Sequence, residues 1–220
     1  MNTPMSTTHM TTIGAYRADP KGRPKGCIIV IQEIFGVNPH IRSVVDKFAA
    51  AGFIAVAPAL FDHIESGVEL NYDVAGVEKG RALAEQLGFD QAVADVASAK
   101  KMIDSSGKVG VVGFCWGGSV AFLCATRLGL SAVSYYGGRT VPFLIERPKA
   151  PLMLHFGDRD PLISSDDIAK HRAALPDATI HIYAAGHGFN CDARMDYHAE
   201  SANLAWQRTL EFFERHLSNS

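Results

Sequence analysis

Short, mostly apolar runs along this chain alternate with longer stretches in which apolar residues recur on one side only. The short runs are rich in β-branched residues, which is typical of strands buried on both faces of a sheet. The longer stretches are typical of helices that cover such a sheet. The predicted strands are 27–31, 53–57, 108–112, 132–136, 151–156 and 178–183. The predicted helices are 40–51, 77–87, 90–103, 119–128, 166–174 and 200–216.

Because strands and helices alternate, the pattern predicts an α/β fold whose mostly parallel sheet is flanked by helices on both faces. No repeat or linker-like change in composition divides the chain, so we expect one domain over residues 1–220, with 1–12 as a flexible tail. The segment 61–74 has no clear period and is expected to form a long loop, a feature that is often functional. Ligands of such sheets bind at the carboxyl ends of the strands, so residues just after the strands are the candidates for a site.

Composition excludes several classes of function. Hydrophobic residues make up 47% of the 220 residues, which is enough for a substantial core. The net charge is −2 and there is no basic stripe, so nucleic acid and anionic membranes are poor candidates for partners. The four cysteines lack the spacing of a disulfide framework, and we expect neither a signal peptide nor a membrane span. Cysteines of this kind favour a cytoplasmic protein. We also expect a monomer or weak homodimer whose partner is a small molecule.

Cys115 is the most informative residue and lies in the motif GFCWGG (113–118). An apolar run precedes the motif and a helical stretch follows it, so a thiol stands at the tip of a strand–turn–helix. The nucleophile elbow of hydrolases has the pattern G-x-S-x-G in this context, and cysteine replaces serine here. The free N–H groups and the dipole of the following helix favour a thiolate. The alternatives are a buried, inert thiol or a metal ligand, although no second Cys or His lies at the spacing of a zinc site.

A thiol nucleophile needs a base, and the base needs an orienting partner. The hydrolase order is nucleophile, acid and then histidine. His187 follows the last predicted strand, stands between two glycines and matches the base. Asp158 and Asp160 both follow the strand 151–156. We prefer Asp160, which can swing toward the sheet edge, and expect Asp158 to cap the turn or to pair with Arg159.

The first predicted strand ends in QEIFG (32–36), which adds Glu33 to the expected site. Burying a carboxylate without a partner is costly, so Glu33 should have one. The loop after this strand normally supplies one N–H of an oxyanion hole, here that of Ile34. The residue after the nucleophile supplies the other, here Trp116, whose ring is also expected to shape one wall of the pocket.

Together these motifs resemble the dienelactone hydrolase family. The resemblance rests on QEIFGVN (32–38), the cysteine elbow, YYG (135–137), GDRD (157–160) and GHGF (186–189), which occur in the family's order. It implies an α/β-hydrolase fold and hydrolysis of a small lactone or ester, without a metal or a cofactor. It also implies that the resting thiol is neutral and associated with Glu33. A substrate carboxylate would move this glutamate, which takes the thiol proton, and the thiolate would pair with His187, held by Asp160, before forming an acyl-enzyme.

The resemblance is incomplete in the residues that bind substrate. Members of the family hold the substrate carboxylate with arginines near the helix after the long loop and just after the catalytic histidine. Arg81 lies in the first region, and a solvated helix face is the alternative interpretation of it. After His187 the first arginine is Arg194, so the pair is not fully reproduced.

Three aromatic residues, Phe35, Tyr72 and Tyr136, are expected to line the substrate pocket, and Tyr136 could equally belong to the core. Two other functions stay open at this stage. The first is a non-catalytic ligand-binding module on a hydrolase scaffold, because a fold does not determine a function. The second is a redox sensor, which needs a thiol close to the nucleophile. Cys124 lies too far along the same predicted helix, which leaves Cys191.

Overall fold

One sheet of seven strands organises residues 13–217, which are the residues that the computed structural model describes. The predicted tail, 1–12, lies outside this range. The strands are β1 (Ala15–Ala18), β2 (Cys27–Ile31), β3 (Ile54–Pro58), β4 (Val109–Phe114), β5 (Ser131–Tyr135), β6 (Leu152–Gly157) and β7 (Thr179–Tyr183). Their order is β1-β3-β2-β4-β5-β6-β7, and every neighbouring pair is parallel except β1 with β3. β2, β3, β4 and β6 are buried along their whole length, as expected for a parallel sheet that is covered on both faces.

The α-helices of the described region are α1 (Pro39–Ala50), α2 (Val74–Ile103), α3 (Trp116–Leu123), α4 (Ser165–Ala174) and α5 (Ala199–Leu217). Polar side chains begin three of them. Asn38, Asp73 and Ser164 each accept a hydrogen bond from the backbone N–H three residues further on. α2 is interrupted at Gly88, whose φ of 73° is not helical, and this confirms the predicted break between two helices.

The order in which the chain adds strands across the sheet reverses between β3 and β4. The chain moves from β2 outward to β3, crosses back to β4 and then continues through β5, β6 and β7. Since crossover connections are right-handed, α1 lies on one face of the sheet while α2, α3 and α4 lie on the other. The carboxyl ends of β2 and β4 are neighbours at this reversal, which is the point where open α/β sheets bind ligands.

Aromatic contacts hold the helices to each other on both faces. α1 packs against α5 through Phe48, whose ring centroid lies 4.6 Å from that of Trp206 and 5.9 Å from that of Phe213. On the opposite face, Phe89 of α2 stacks on Trp116 of α3, with the ring centroids 6.0 Å apart. This second contact ties α2 to the residue that follows Cys115.

Two details differ from the sequence-based expectations. β1 was not predicted, because its four residues alternate between exposed and half-buried on the sheet edge and form no apolar run. The segment 61–74 is more ordered than a loop, since a 3-10 turn covers Leu60–His63, Glu69 bridges to Gly36, and α2 begins at Val74. Between residues 13 and 217, the helices are too short or too polar to cross a lipid bilayer.

Candidate active site

Cys115 occupies a strained turn between β4 and α3. Its φ of 54° and ψ of −117° lie outside the regions that most side chains adopt, and such strain costs about 1–3 kcal/mol. The turn is held because the Cys115 N–H donates to the carbonyl of Tyr135, 3.0 Å away in the neighbouring strand. Glycine is required two residues earlier, at Gly113, since a Cβ there would collide with the carbonyl oxygen of Gly117. The elbow therefore presents the thiol at the carboxyl edge of the sheet.

His187 and Asp160 complete a hydrogen-bonded chain that starts at the thiol. Nε2 of His187 lies 3.1 Å from Sγ of Cys115, and its Nδ1 lies 2.7 Å from Oδ2 of Asp160. The other carboxylate oxygen of Asp160 accepts the backbone N–H of Leu162 at 2.8 Å. Asp158, the competing acid, is exposed and lies 3.6 Å from Arg159. The structure therefore brings Asp160, not Asp158, to the histidine.

The imidazole of His187 favours its protonated form despite its burial. Burial on its own would lower the pKa of His187, but the charge of a Cys115 thiolate and the hydrogen bonds with Asp160 and Cys115 act more strongly in the other direction. The net effect raises the pKa of His187 to about 10. Once a Cys115 thiolate forms, this environment therefore stabilises the protonated ring beside it.

The two expected oxyanion-hole residues, Ile34 and Trp116, both line the cavity next to Cys115. Trp116 is the first residue of α3, where a backbone N–H has no carbonyl one turn earlier to bind. Its ring is buried and packs against Phe61 and Phe89, with centroid distances of 5.8 and 6.0 Å. This packing fixes the orientation of the peptide that follows the thiol.

Glu33 is completely buried behind the cavity and has two partners. Its Oε2 accepts a hydrogen bond from the hydroxyl of Tyr72 at 3.1 Å, and its Oε1 lies 3.2 Å from Nη1 of Arg194. The resemblance implied that the resting thiol associates with Glu33. The structure differs, because both carboxylate oxygens are occupied and Sγ of Cys115 lies on His187 instead.

Arg194 lines the cavity, so an arginine that follows the catalytic histidine does reach the substrate site. This corrects the expectation that the family's pair of carboxylate-binding arginines is not fully reproduced. Its side chain passes directly over Gly188, where a Cβ would lie 2.6 Å from Nε of Arg194. Its guanidinium also faces the rings of Phe35 and Tyr72, at 5.9 and 5.6 Å from their centroids. The signal for this placement was the glycine after His187, which leaves room for the returning loop.

A cavity of about 240 Å³ opens beside the thiol. Its apolar lining consists of Ile34, Phe35, Val77, Trp116 and Leu162, with Gly138. Its polar lining consists of Cys115, His187, Arg81, Arg139 and Arg194. Phe35 and Arg81 thus lie where the sequence placed them, whereas Arg139 was not anticipated.

Tyr72 and Tyr136 do not belong to this lining, which corrects their assignment as pocket residues. Tyr136 is completely buried, and its ring centroid lies 5.2 Å from that of His187. Tyr72 is half-buried, accepts a hydrogen bond from Asn38 at 3.0 Å and donates to Glu33. Both tyrosines therefore support catalytic side chains from behind the cavity wall.

Among the described residues, Glu33, His40 and Cys191 form a group whose donor atoms lie within 4.8 Å of one another, close enough to bind a metal ion. Arg194 pairs with the same carboxylate, and its positive charge opposes a second cation there. Burial raises the pKa of Cys191 to about 11, which keeps its thiol protonated near neutral pH. A protonated, buried thiol is a poor metal ligand and a poor redox partner for Cys115.

The sheet, the strained elbow, and the thiol, imidazole and carboxylate in this order define an α/β-hydrolase. Comparison with known proteins narrows the class. The model of the dienelactone hydrolase family matches residues 13–217. The chain therefore belongs to the dienelactone hydrolase family, and as a member it is an ester or lactone hydrolase.

Individual relatives agree with this assignment. The chain is 34% identical to the carboxymethylenebutenolidase of Pseudomonas putida, over 91% of this chain and 90% of that protein. It is 32% identical to a candidate carboxymethylenebutenolidase of Synechocystis, over 93% of this chain and 92% of that protein. The crystal structure of a candidate dienelactone hydrolase from Klebsiella pneumoniae superposes with a TM-score of 0.81 at 31% identity, over 90% of this chain and 91% of that chain.

Proposed function

We propose that this protein hydrolyses small lactones or esters that carry a carboxylate, through an acyl-enzyme on Cys115. The observation that carries the proposal is the continuous chain from Sγ of Cys115 to Nε2 of His187 at 3.1 Å and from Nδ1 of His187 to Asp160 at 2.7 Å. This chain stands at the edge of a cavity lined by arginines. Its atoms are those that nucleophilic acyl transfer requires.

In the acylation step, the thiolate of Cys115 attacks the carbonyl carbon and forms a C–S bond. The carbonyl oxygen becomes an oxyanion, for which the backbone N–H groups of Ile34 and Trp116 are the candidate donors. The C–O bond of the ester or lactone then breaks, and the leaving oxygen takes the proton from Nε2 of His187. Asp160 accepts from Nδ1 and keeps the ring oriented through this transfer.

In the deacylation step, a water molecule attacks the thioester carbonyl while Nε2 of His187 takes a proton from it. The C–S bond breaks, the product leaves as a carboxylic acid, and the thiolate–imidazolium pair forms again. No electron donor or acceptor is needed, because the reaction consumes only water.

A substrate carboxylate fits the arginine side of the cavity. Arg194 binds Glu33, and an incoming carboxylate competes for the same guanidinium. Once released, Glu33 is free to accept the proton of a neutral Cys115 thiol, which links ionisation of the thiol to binding of the substrate. Such a link protects the sulfur, since a permanently ionised thiolate is readily oxidised.

The test is Cys115→Ala, assayed on p-nitrophenyl esters with and without a free carboxylate. We expect a loss of turnover of about 10³-fold or more. Cys124→Ala, which changes a buried thiol of the same helical segment, is the control and should retain activity. Mass spectrometry of the wild type during turnover should detect the acyl group on Cys115. Full activity of Cys115→Ala would exclude the mechanism, and acylation without turnover would favour a binding module.

A further inference from the structure

Apart from His187, the charged side chains that line the catalytic cavity are all arginines. Arg81, Arg139 and Arg194 reach it from three different segments, and its lining contains no aspartate or glutamate. Arg194 is paired with Glu33 behind the wall. Over residues 13–217, the structure gives neither Arg81 nor Arg139 an ion pair. Among the described residues, the cavity therefore has two guanidinium groups that no carboxylate pairs with.

The arginines stand on opposite sides of the nucleophile. Cys115 follows β4, which lies between β2 and β5 in the sheet. Arg194 binds Glu33 at the end of β2, and Arg81 follows Gly80, which has no side chain to separate α2 from the carbonyl of Ile34. Arg139, in contrast, belongs to the loop that follows β5. Two anionic groups could therefore be bound at once, with the reacting carbonyl between them.

The loop that carries Arg139 is anchored on both sides of this residue. The backbone N–H of Arg139 donates to the hydroxyl of Ser119, a buried residue of α3, at 3.1 Å. Thr140 is buried, and its hydroxyl donates to the carbonyl of Gly137 at 3.2 Å. Arg139 itself is exposed, and it lines the cavity. Its position is thus set by the packed fold and not by a free loop.

We infer that the cavity selects a dianionic substrate, in which one carboxylate pairs with Arg81 and Arg194 and a second anionic group pairs with Arg139 across the thiol. This inference rests on the proposed function and specifies its substrate class, a compact ester or lactone with acidic groups on both sides of the reacting carbonyl. A monoanion would leave one guanidinium without a counter-charge, whereas a dianion supplies a partner on each side. The volume of about 240 Å³ limits the substrate to a small molecule.

The test compares three p-nitrophenyl esters: the valerate, which has no free carboxylate, the monoester of glutaric acid, which has one, and the central monoester of tricarballylic acid, which has two. We expect the wild type to prefer the third ester over the second in kcat/KM. Arg139→Gln should lower this preference about five- to tenfold, mainly through KM, because it removes one partly exposed charge pair. Arg172→Gln, an exposed arginine of α4 outside the cavity, is the matched control and should keep the wild-type preference.

Three results would overturn the inference. The wild type could show no preference for the second carboxylate, Arg139→Gln could leave the preference unchanged, or it could slow all three esters equally through a structural effect. The proposed function is tested separately by Cys115→Ala. If that variant loses turnover of every ester while Arg139→Gln changes nothing, the hydrolase mechanism stands and only the dianion assignment fails.

Discussion

The two sides of the catalytic cavity are built in different ways. On one side, His187 and Asp160 are buried and join the thiol of Cys115 through contacts of 3.1 and 2.7 Å. On the other side, arginines from a helix and two loops surround the space where substrate binds, and Arg81 and Arg139 are exposed. The first side is defined by close contacts between particular atoms, whereas the second side is defined mainly by its positive charge.

This difference follows from the tasks of the two sides. Bond formation requires the reacting atoms to lie in near-attack geometry. Side chains at the ends of packed strands are held rigidly enough to maintain that geometry. Attraction between charges falls off only with the inverse of distance, so exposed arginines are sufficient to recognise a carboxylate. Substitutions on the first side should therefore lower kcat, whereas substitutions on the second should raise KM for charged substrates.

The largest effect in this comparison is expected for Asp160→Asn on the catalytic side. The carboxylate orients the ring of His187 and helps to raise its pKa to about 10, so its loss should lower kcat/KM by about 10²- to 10⁴-fold. Because the folded-state pKa lies above the ordinary value near 6.5, the protonated ring adds stability at low pH that is lost as the pH rises through about 10. In the variant, an NMR titration of His187 should move its midpoint to lower pH.

Asp158→Asn is the matched control, since it removes the same group two residues away on an exposed turn. We expect wild-type kinetics and an unchanged titration of His187 in this variant. If Asp158→Asn were the more damaging substitution, the acid of the triad would have been assigned to the wrong residue.

A smaller effect is expected for Glu33→Gln, because Glu33 is buried behind the cavity and is joined to its arginine side through the pair with Arg194. The amide can still accept a hydrogen bond from Tyr72 but cannot take the thiol proton, so kcat should fall about 10- to 100-fold. Alkylation of Cys115 by iodoacetamide gives a second measurement. Glutarate should speed it in the wild type, by displacing Glu33, and should have no such effect in the variant.

Glu69→Gln, which removes a carboxylate paired with Arg42 at the surface, controls for a general effect of charge. Equal alkylation rates with and without glutarate in the wild type would contradict the coupling between Glu33 and the thiol, even if Glu33→Gln lowered kcat.

Much of the catalytic side could be predicted from the sequence, because it depends on local patterns. Buried strands appear as apolar runs, and the elbow appears as glycines at set positions around Cys115. His187 and Asp160 follow strands, and parallel strands bring their carboxyl ends to the same edge. Asp160 could be chosen over Asp158 only as a preference, since both carboxylates follow the same strand and have the same local signal.

The arginine side could not be predicted in the same way. Arg194 reaches Glu33 because the loop after β7 folds back over Gly188, and no periodicity in the sequence encodes that return. Arg139 lies in a short connection whose direction depends on a hydrogen bond to Ser119 in another element. The assignment of Tyr136 to the pocket was wrong because an aromatic residue after a strand can pack inward or outward, and here it packs behind His187.

The smallest of these effects is expected for Arg194→Gln. Loss of the guanidinium should raise KM for the glutarate monoester about tenfold and change KM for the neutral valerate ester by much less, since only the first contains a carboxylate. Arg215→Gln, an exposed arginine of α5, provides the control. Melting temperatures must be measured in parallel, because Glu33 stays buried without its cation and the fold loses stability. An equal rise of KM for both esters, with an unchanged melting temperature, would show that Arg194 does not bind the substrate carboxylate. The contrast between the two sides of the cavity would then depend on Arg81 and Arg139 alone.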